Sequence, residues 1–411
     1  MRLSQINVNY GFGSTGIIVK DLQTLCKHEG IDCEVVFSEA REDVPSDTYH
    51  MGNVVSNKLH ALLSRISGKQ GYFSKISTWL LLRHYDSYKP DIIHLHNLHS
   101  CYISLPMILK YAARKHIAVV ATQHDCWLYT GGCCHYTSTD CFKWKEACGD
   151  CPARRSVNAL LFDGTKRMLA DRYRLFGGIR NLTAVGVSRW IADEARQSVF
   201  KNANCIAIHN GIDTEFFRPV RKEEFAGFER LRSLRALKET NPGIFLILAP
   251  SNKWFLDINR ETFEHFACRM TEDMRMIFIG NGVDKSRLTD KMIDVGFVSS
   301  REEIRAIYNM VDVMVNCTRE ESLSLLNVEV QACGTPVVTY SNTGVKETVD
   351  GKCGFAVENG NPAAAWNAMS QIKKRGKAGY SDACRQWVRK EFDKDTNYKK
   401  YIELYKSISR S

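Results

Sequence analysis

No apolar run in the 411-residue sequence approaches the roughly 18–20 residues that cross a bilayer. The best, Ile244–Leu248 and Leu80–Leu82, are far too short, which excludes a helical integral membrane protein. A charged-then-apolar leader is missing as well, because Asn7, Asn9 and Gly11 interrupt the first apolar stretch. A cytoplasmic chain is therefore expected, soluble or peripheral on the inner face of the cell membrane. Internal repeats and low-complexity tracts are lacking. A hydrophobic share of 44% with 25% charged residues excludes a mainly disordered or collagen-like chain. The net charge of +10 is a mild excess: it points to an anionic ligand or surface, and no nucleic-acid partner is expected. Cysteine is the residue in unusual supply, with fifteen. Most are isolated, as are Cys26, Cys268, Cys317 and Cys353, and read as small buried hydrophobes.

The length suits two lobes of roughly 150–200 residues each. Leu3–Asn9 reads as a strand that runs into Gly11, Gly13 and Gly16, with an amphipathic run Ile17–Cys26 after it. Short β-branched runs follow at Glu34–Phe37, Asp91–His94, Ala118–Ala121, Ala184–Val187 and Cys205–His209, with helical patterns between them. After a charged, helix-prone stretch from Arg218 to Lys238 the alternation restarts. Its runs are Phe245–Ala249, Met276–Ile279, Asp294–Phe297, Val313–Val315 and Pro336–Thr339. Strands alternating with helices predict right-handed βαβ units and parallel sheets. The expected fold class is thus α/β, with two doubly wound Rossmann-like domains and a cleft between them. The N-terminal domain is expected over 1–200 with a cysteine-rich insert at 130–152, and the C-terminal domain over 205–392. The last stretch, 393–411, carries Tyr398, Tyr401 and Tyr405 at helical spacing and is expected to cross back onto the first domain.

Gly11-Phe12-Gly13-Ser14-Thr15-Gly16 spells a dinucleotide fingerprint between a strand and a helix, with Glu39 placed as a ribose acid would be. A tight turn without a ligand reads equally from these residues. A longer segment says more. Thr318-Arg319-Glu320-Glu321-Ser322-Leu323-Ser324-Leu325-Leu326-Asn327-Val328-Glu329 leads into Gly334-Thr335-Pro336. Glu321 is expected in a strand-to-helix loop and Glu329 two turns into the helix, and eight residues at ~100° each bring the two acids to one face. N–H groups around Leu323–Leu325 at the helix start suit a diphosphate.

Taken in order, these segments resemble a retaining family 4 glycosyltransferase of the GT-B fold, similar to bacterial surface-polysaccharide enzymes of the colanic-acid type (capsule and exopolysaccharide assembly). Further elements carry the resemblance. They are Pro90-Asp91-Ile92-Ile93-His94-Leu95-His96-Asn97, His124-Asp125-Cys126-Trp127, His209-Asn210-Gly211-Ile212-Asp213, Gly296-Phe297-Val298 and Tyr308–Asp312. The resemblance implies a sugar transfer from a nucleotide-diphosphate donor to a lipid-linked or other glycan acceptor, with no cofactor required for catalysis. It assigns Glu321 and His124 to catalysis beside the donor sugar, and Glu329 to the nucleotide ribose. Phe297 and Val298 would flank the base. Gly13, Ser14, Thr15 and Gly16, with Ser324 and Leu325, would meet the donor phosphates or sugar, while His96, Asn97 and Trp127 would lie on the acceptor side. In one respect the sequence departs from the family pattern. The cations usually found five residues apart after the first strand of the second domain are absent, and Lys253 and Arg260, at a spacing of seven, are the ones available to replace them.

Three further features ask for a reading. Cys148-Gly149-Asp150-Cys151 is a CxxC, and with Cys133 and Cys141 it offers four sulphurs for a structural zinc; two disulfides or reduced thiols are the alternatives. His94, His96 and His99 are expected as a polar edge lining the cleft rather than a metal shell. From Thr48 to Tyr85 there is no acidic residue, whereas Lys58, Arg65, Lys69, Lys75 and Arg83 stand among Leu59, Leu62, Ile66, Ile76 and Trp79. That stretch suits an anionic membrane surface or an ordinary pair of surface helices. Two other functions remain open from the sequence: an NAD-dependent dehydrogenase built on Gly11–Gly16, and a catalytically inactive glycan- or nucleic-acid-binding descendant.

Overall fold

The structure is a computed structural model that describes residues 1–154, 160–225 and 227–409. Two compact units divide the chain, Met1–Asn210 with Asn397 onward, and Gly211–Thr396. Among the described residues the first unit holds a seven-stranded sheet. From edge to edge its strands are Thr48–His50, Asp32–Phe37, Arg2–Ile6, Ile92–Leu95, Ala118–Gln123, Leu182–Gly186 and Asn204–Ala207. Every pairing is parallel, with Gln5 opposite both Val35 and His94. Ala118–Gln123 is buried at every position, as expected of a parallel strand covered on both faces. The second unit holds a six-stranded parallel sheet in the order Met292–Gly296, Met274–Ile279, Phe245–Pro250, Val313–Asn316, Val337–Tyr340, Gly354–Val357. Both sheets are doubly wound, so the expected class holds.

Four strands escape the sequence pattern: Asn9–Tyr10, Glu39–Ala40, Thr48–His50 and Gly354–Val357. They have two to four residues, too few for a period of two to stand out. The boundary between the units falls later than residue 205, because Asn204–Ala207 is the edge strand of the first sheet. At that boundary the His209–Asp213 motif has a structural task. Ile212 N–H donates to the Phe392 carbonyl at 2.9 Å, and Lys394 N–H to the Ile212 carbonyl at 3.0 Å. Gly211 is needed there, since a Cβ would stand 2.3 Å from the Lys394 Cα. The Arg218–Lys238 stretch is a helix only from Arg232 to Thr240, preceded by short 3₁₀ turns; Ala226 lies outside the described residues.

The core of the first unit gathers Leu3, Ile18, Leu22, Cys26, Ile92 and Val185 with Tyr398, Tyr401 and Tyr405 of the last helix, Lys394–Ile408. Arg410 and Ser411 lie outside the described residues. Cys26, Cys317 and Cys353 are buried as expected, but Cys268 is exposed at a helix end with its thiol on the His265 carbonyl. No helix among the described residues is long and apolar enough to cross a membrane.

Candidate active site

In the second unit the chain leaves the strand Val313–Asn316, turns through 317–324 and enters the helix Leu325–Ala332. Buried amides fasten this loop. Asn316 Nδ2 donates to Asn327 Oδ1 at 2.8 Å and to Ser324 Oγ at 3.2 Å, and Asn327 Nδ2 donates to Thr348 Oγ1 at 2.9 Å. Ser324 is the N-cap residue, yet its side chain serves that network and makes no cap hydrogen bond. The first-turn N–H groups from Leu325 onward thus have no side-chain acceptor from the cap, and the positive end of the helix is left for an anion.

Glu329 lies one turn into this helix, partly buried, and accepts from Tyr308 Oη at 3.2 Å. Thr335 of the Gly-Thr-Pro turn holds Tyr308 by donating to its carbonyl at 2.6 Å. Burial pushes the Glu329 carboxyl up to about 7, against the Tyr308 bond and the charge of Arg301. Glu321 sits outside the helix, so the same-face argument, which needs continuous helix, does not place it. Thr343 does: Glu321 N–H approaches Thr343 Oγ1 at 3.2 Å, and that hydroxyl donates to the Glu321 carbonyl at 2.7 Å. Thr343 takes a left-handed φ of 39° to do so.

Phe297 is 60% exposed beside the buried Val298. Gly296, at φ 76°, turns the chain there, and Arg230 Nη1 holds the Phe297 carbonyl at 3.0 Å. A flat apolar ring left in water offers a face on which a base can stack.

The cations divide differently from the expectation. Arg260 is exposed and pairs along its own helix with Glu264 at 3.1 Å. Lys253 lies in the short helix Ser251–Trp254, and the charge reaching buried Cys317 beside it comes from Arg319 as well as Lys253. Arg319 is anchored by Asn259 Oδ1 at 2.7 Å and the Ile258 carbonyl at 2.9 Å. Sequence reading passed over Arg301, and over Arg319 although it lies two residues before Glu321; the anchoring of Arg319 by Asn259 and Ile258 comes only with folding.

In the first unit, the helix Gly13–His28 begins at the glycine loop, with Gly13 and Ser14 exposed and Thr15 and Gly16 buried. Gly16 is required by close approach, since a Cβ would lie 3.1–3.2 Å from Asn9 atoms. Asn7 knits the loop to its neighbours, donating to the Asn9 carbonyl at 2.7 Å and accepting the Asn97 N–H at 3.1 Å.

Of the three histidines expected as a polar edge, His94 and His96 are buried and His99 is half-buried. His94 is fully buried between Tyr405 Oη and Thr122 Oγ1, each at 2.7 Å. His96 Nε2 meets Gln5 Oε1 at 3.2 Å, and His96 Nδ1 meets His124 Nε2 at 3.0 Å. Gln5 Nε2 donates to the Val19 carbonyl, so its Oε1 is an acceptor and His96 must carry its proton on Nε2. His96 Nδ1 then accepts from His124 Nε2–H. His124 is left with a bare Nδ1, which is buried and has no partner. Burial holds its pKa down at about 4, keeping the ring neutral and that nitrogen an acceptor.

His99 and Asp125 form an ion pair at 3.1 Å; the Asp125 bond and charge raise the imidazole's pKa despite burial. Trp127 faces inward: it is 1% exposed, donates Nε1–H to Gln70 Oε1 at 2.9 Å and lies 4.2 Å beneath the Arg172 guanidinium. Its indole is therefore a packing element of the first unit.

Residues 16–216 match the model for Glycosyltransferase Family 4, and residues 252–374 the model for Glycosyl transferases group 1. A D-inositol 3-phosphate glycosyltransferase of Corynebacterium urealyticum is 27% identical over 141 residues, 31% of this chain and 33% of the relative. The chain spans a third or less of the length of the first curated relatives it matches. Among solved structures, sucrose-phosphate synthase from Thermosynechococcus elongatus superposes with a TM-score of 0.67 at 14% identity, covering 100% of this chain and 99% of that one. Anabaena HepE, solved in complex with UDP, does so with a TM-score of 0.66 at 13% identity, covering 99% of each. At such identities the likeness speaks for the fold. The dehydrogenase reading finds no support in these comparisons. The family 4 match over 16–216 and the group 1 match over 252–374 support a family 4 glycosyltransferase, and the solved structures share its fold.

Proposed function

We propose that the chain is a retaining glycosyltransferase that moves a sugar from a nucleotide-diphosphate donor to a lipid-linked glycan of surface polysaccharide, without a catalytic metal. The observation that carries this reading is Glu329, a partly buried carboxylate with Tyr308 on one oxygen, on a helix whose positive end has no side-chain cap. Glu329 suits a ribose diol, and the N–H groups from Leu325 onward suit the diphosphate. Lys253 and Arg319 would meet the charge that builds on the leaving phosphate, a task in which fixed dipoles and cations lower the barrier most. Phe297 would stack on the base, and Glu321 would stand beside the donor sugar. In the first unit, His124 Nδ1 would accept a sugar hydroxyl. Retention follows if the departing phosphate takes the acceptor proton on the face it leaves, so that the O–H proton ends on phosphate as the new glycosidic bond forms.

The lipid-linked acceptor is favoured by the helices Val54–Ser67 and Lys75–Tyr88. Val55, Ile76 and Trp79 are exposed there, beside Arg65, Lys75 and Arg83.

Thermal shift against UDP, GDP, NADH and an oligonucleotide tests the whole reading. A nucleoside diphosphate should raise the melting temperature of the wild type and leave Glu329→Ala unmoved. Stabilisation by NADH or by oligonucleotide alone would overturn it.

A further inference from the structure

The insert 130–152 contains no strand and only two single 3₁₀ turns, Thr137–Thr139 and Lys143–Lys145. Its buried aromatic side chains are Tyr136 and Trp144, which pack against each other at 5.3 Å. Three observations converge in the insert. First, Cys133, Cys141, Cys148 and Cys151 line one cavity of about 20 Å³, room for a single water-sized or ion-sized occupant, and no carboxylate lines it. Second, the backbone closes tightly on one of the sulphurs: a Cβ on Gly131 would stand 2.9 Å from Cys148 Sγ. Third, Arg172 is buried beside the cluster. Its Nη1 serves the Trp127 and Thr130 carbonyls, but Nε and Nη2 have no partner, and it forms no ion pair among the described residues. The acidic groups that bear on it are the Tyr72 phenol and the thiols of Cys148, Cys133 and Cys134, which carry a charge only when ionised. A buried cation without a counter-charge is costly, and four thiolates around a zinc ion carry a net double negative charge that would supply one.

We propose that Cys133, Cys141, Cys148 and Cys151 bind a structural zinc ion that staples the insert, with the Arg172 guanidinium as its buried counter-charge. Binding converts four thiols to thiolates and releases their protons to solvent, and the sulphurs draw in to about 2.3 Å from the metal. The site is independent of the sugar-transfer reading. A rival cluster lies nearby: the ligand atoms of His99, Asp125 and Cys134 lie within 4.8 Å of one another. That set has three members and its carboxylate is already engaged by His99 at 3.1 Å and by the Trp127 N–H at 2.8 Å. It serves as the control.

The test uses the full chain, expressed with zinc in the medium, purified in reductant, stripped of loose metal on a chelating resin, and read by elemental mass spectrometry. About one zinc per chain is expected. Cys148→Ser and Cys151→Ser should lose about tenfold of it, while Cys134→Ser keeps it. Should the serine variants fail to fold, a strong chelator added to the wild type should release about one equivalent of zinc and lower the melting temperature. Three results would each overturn the proposal: a folded, reduced wild type without zinc; an intact mass short by the hydrogens of two disulfides; or zinc lost in Cys134→Ser yet kept in Cys148→Ser.

Discussion

His124 Nε2 stands 3.0 Å from His96 Nδ1, and this contact decides which nitrogen of His124 is left as an acceptor. Gln5 sets the direction from the far side, because its Oε1 accepts only. Three residues distant in the chain thus fix one tautomer, in a buried setting where a wrong proton has no solvent to correct it. His96→Phe keeps the volume and removes the relay. We expect kcat to fall by about tenfold or more with the melting temperature little changed, measured by donor turnover and by thermal unfolding.

Protonation of these rings sets the acid limit. His60 and His124 are both held down near 4 by burial, below their ordinary 6.5. Between those values the unfolded chain binds the proton and the native chain does not. Stability is therefore lost as pH falls from about 6.5 to 4 and levels off below. Denaturant melts at pH 7, 5.5 and 4.5 should show a falling midpoint; a flat profile would contradict the burial of these rings.

Glu329 titrates in the opposite sense. Burial raises its pKa from 4.5 to about 7, so the native state holds a proton the unfolded state has lost, and the penalty grows as pH rises through that window. Glu329→Gln should stabilise the ligand-free protein by about 1–3 kcal/mol at pH 8 and by little at pH 4.5. The same substitution should abolish measurable stabilisation by nucleoside diphosphate, which separates its cost to the fold from its use.

The two arginines offered for the diphosphate should part company. Arg260→Ala removes a solvent-exposed pair with Glu264 and should leave donor KM and kcat unchanged. Arg319→Ala should lower kcat/KM by about tenfold or more, read from initial rates over a donor series.

Tyr405→Phe tests the C-terminal helix. It strips the hydroxyl that serves His94 Nδ1 at 2.7 Å and leaves a buried nitrogen without its partner, at a cost of about 1–3 kcal/mol by chemical denaturation.

Much of the fold was legible because it repeats. Runs such as Ala118–Ala121 and Val313–Val315 are short, β-branched and separated by helical patterns, and only parallel sheets satisfy that alternation. Gly16 could be singled out because it follows a strand at a tight turn, and Glu329 because its segment runs strand, loop, helix and Gly-Thr-Pro in order. The two-residue strands Asn9–Tyr10 and Glu39–Ala40 could not, since each forms only because the other is there.

By itself, then, the sequence determined the α/β class, the two doubly wound sheets and the segments in which functional residues lie, because period, turn residues and helix starts are local properties. Tertiary structure alone decided which cations face which acids, that His94 and Trp127 turn inward, that Thr343 rather than helical phase places Glu321, and that four cysteines share one cavity. Those outcomes depend on contacts between residues far apart in the chain, whose meeting no local pattern encodes.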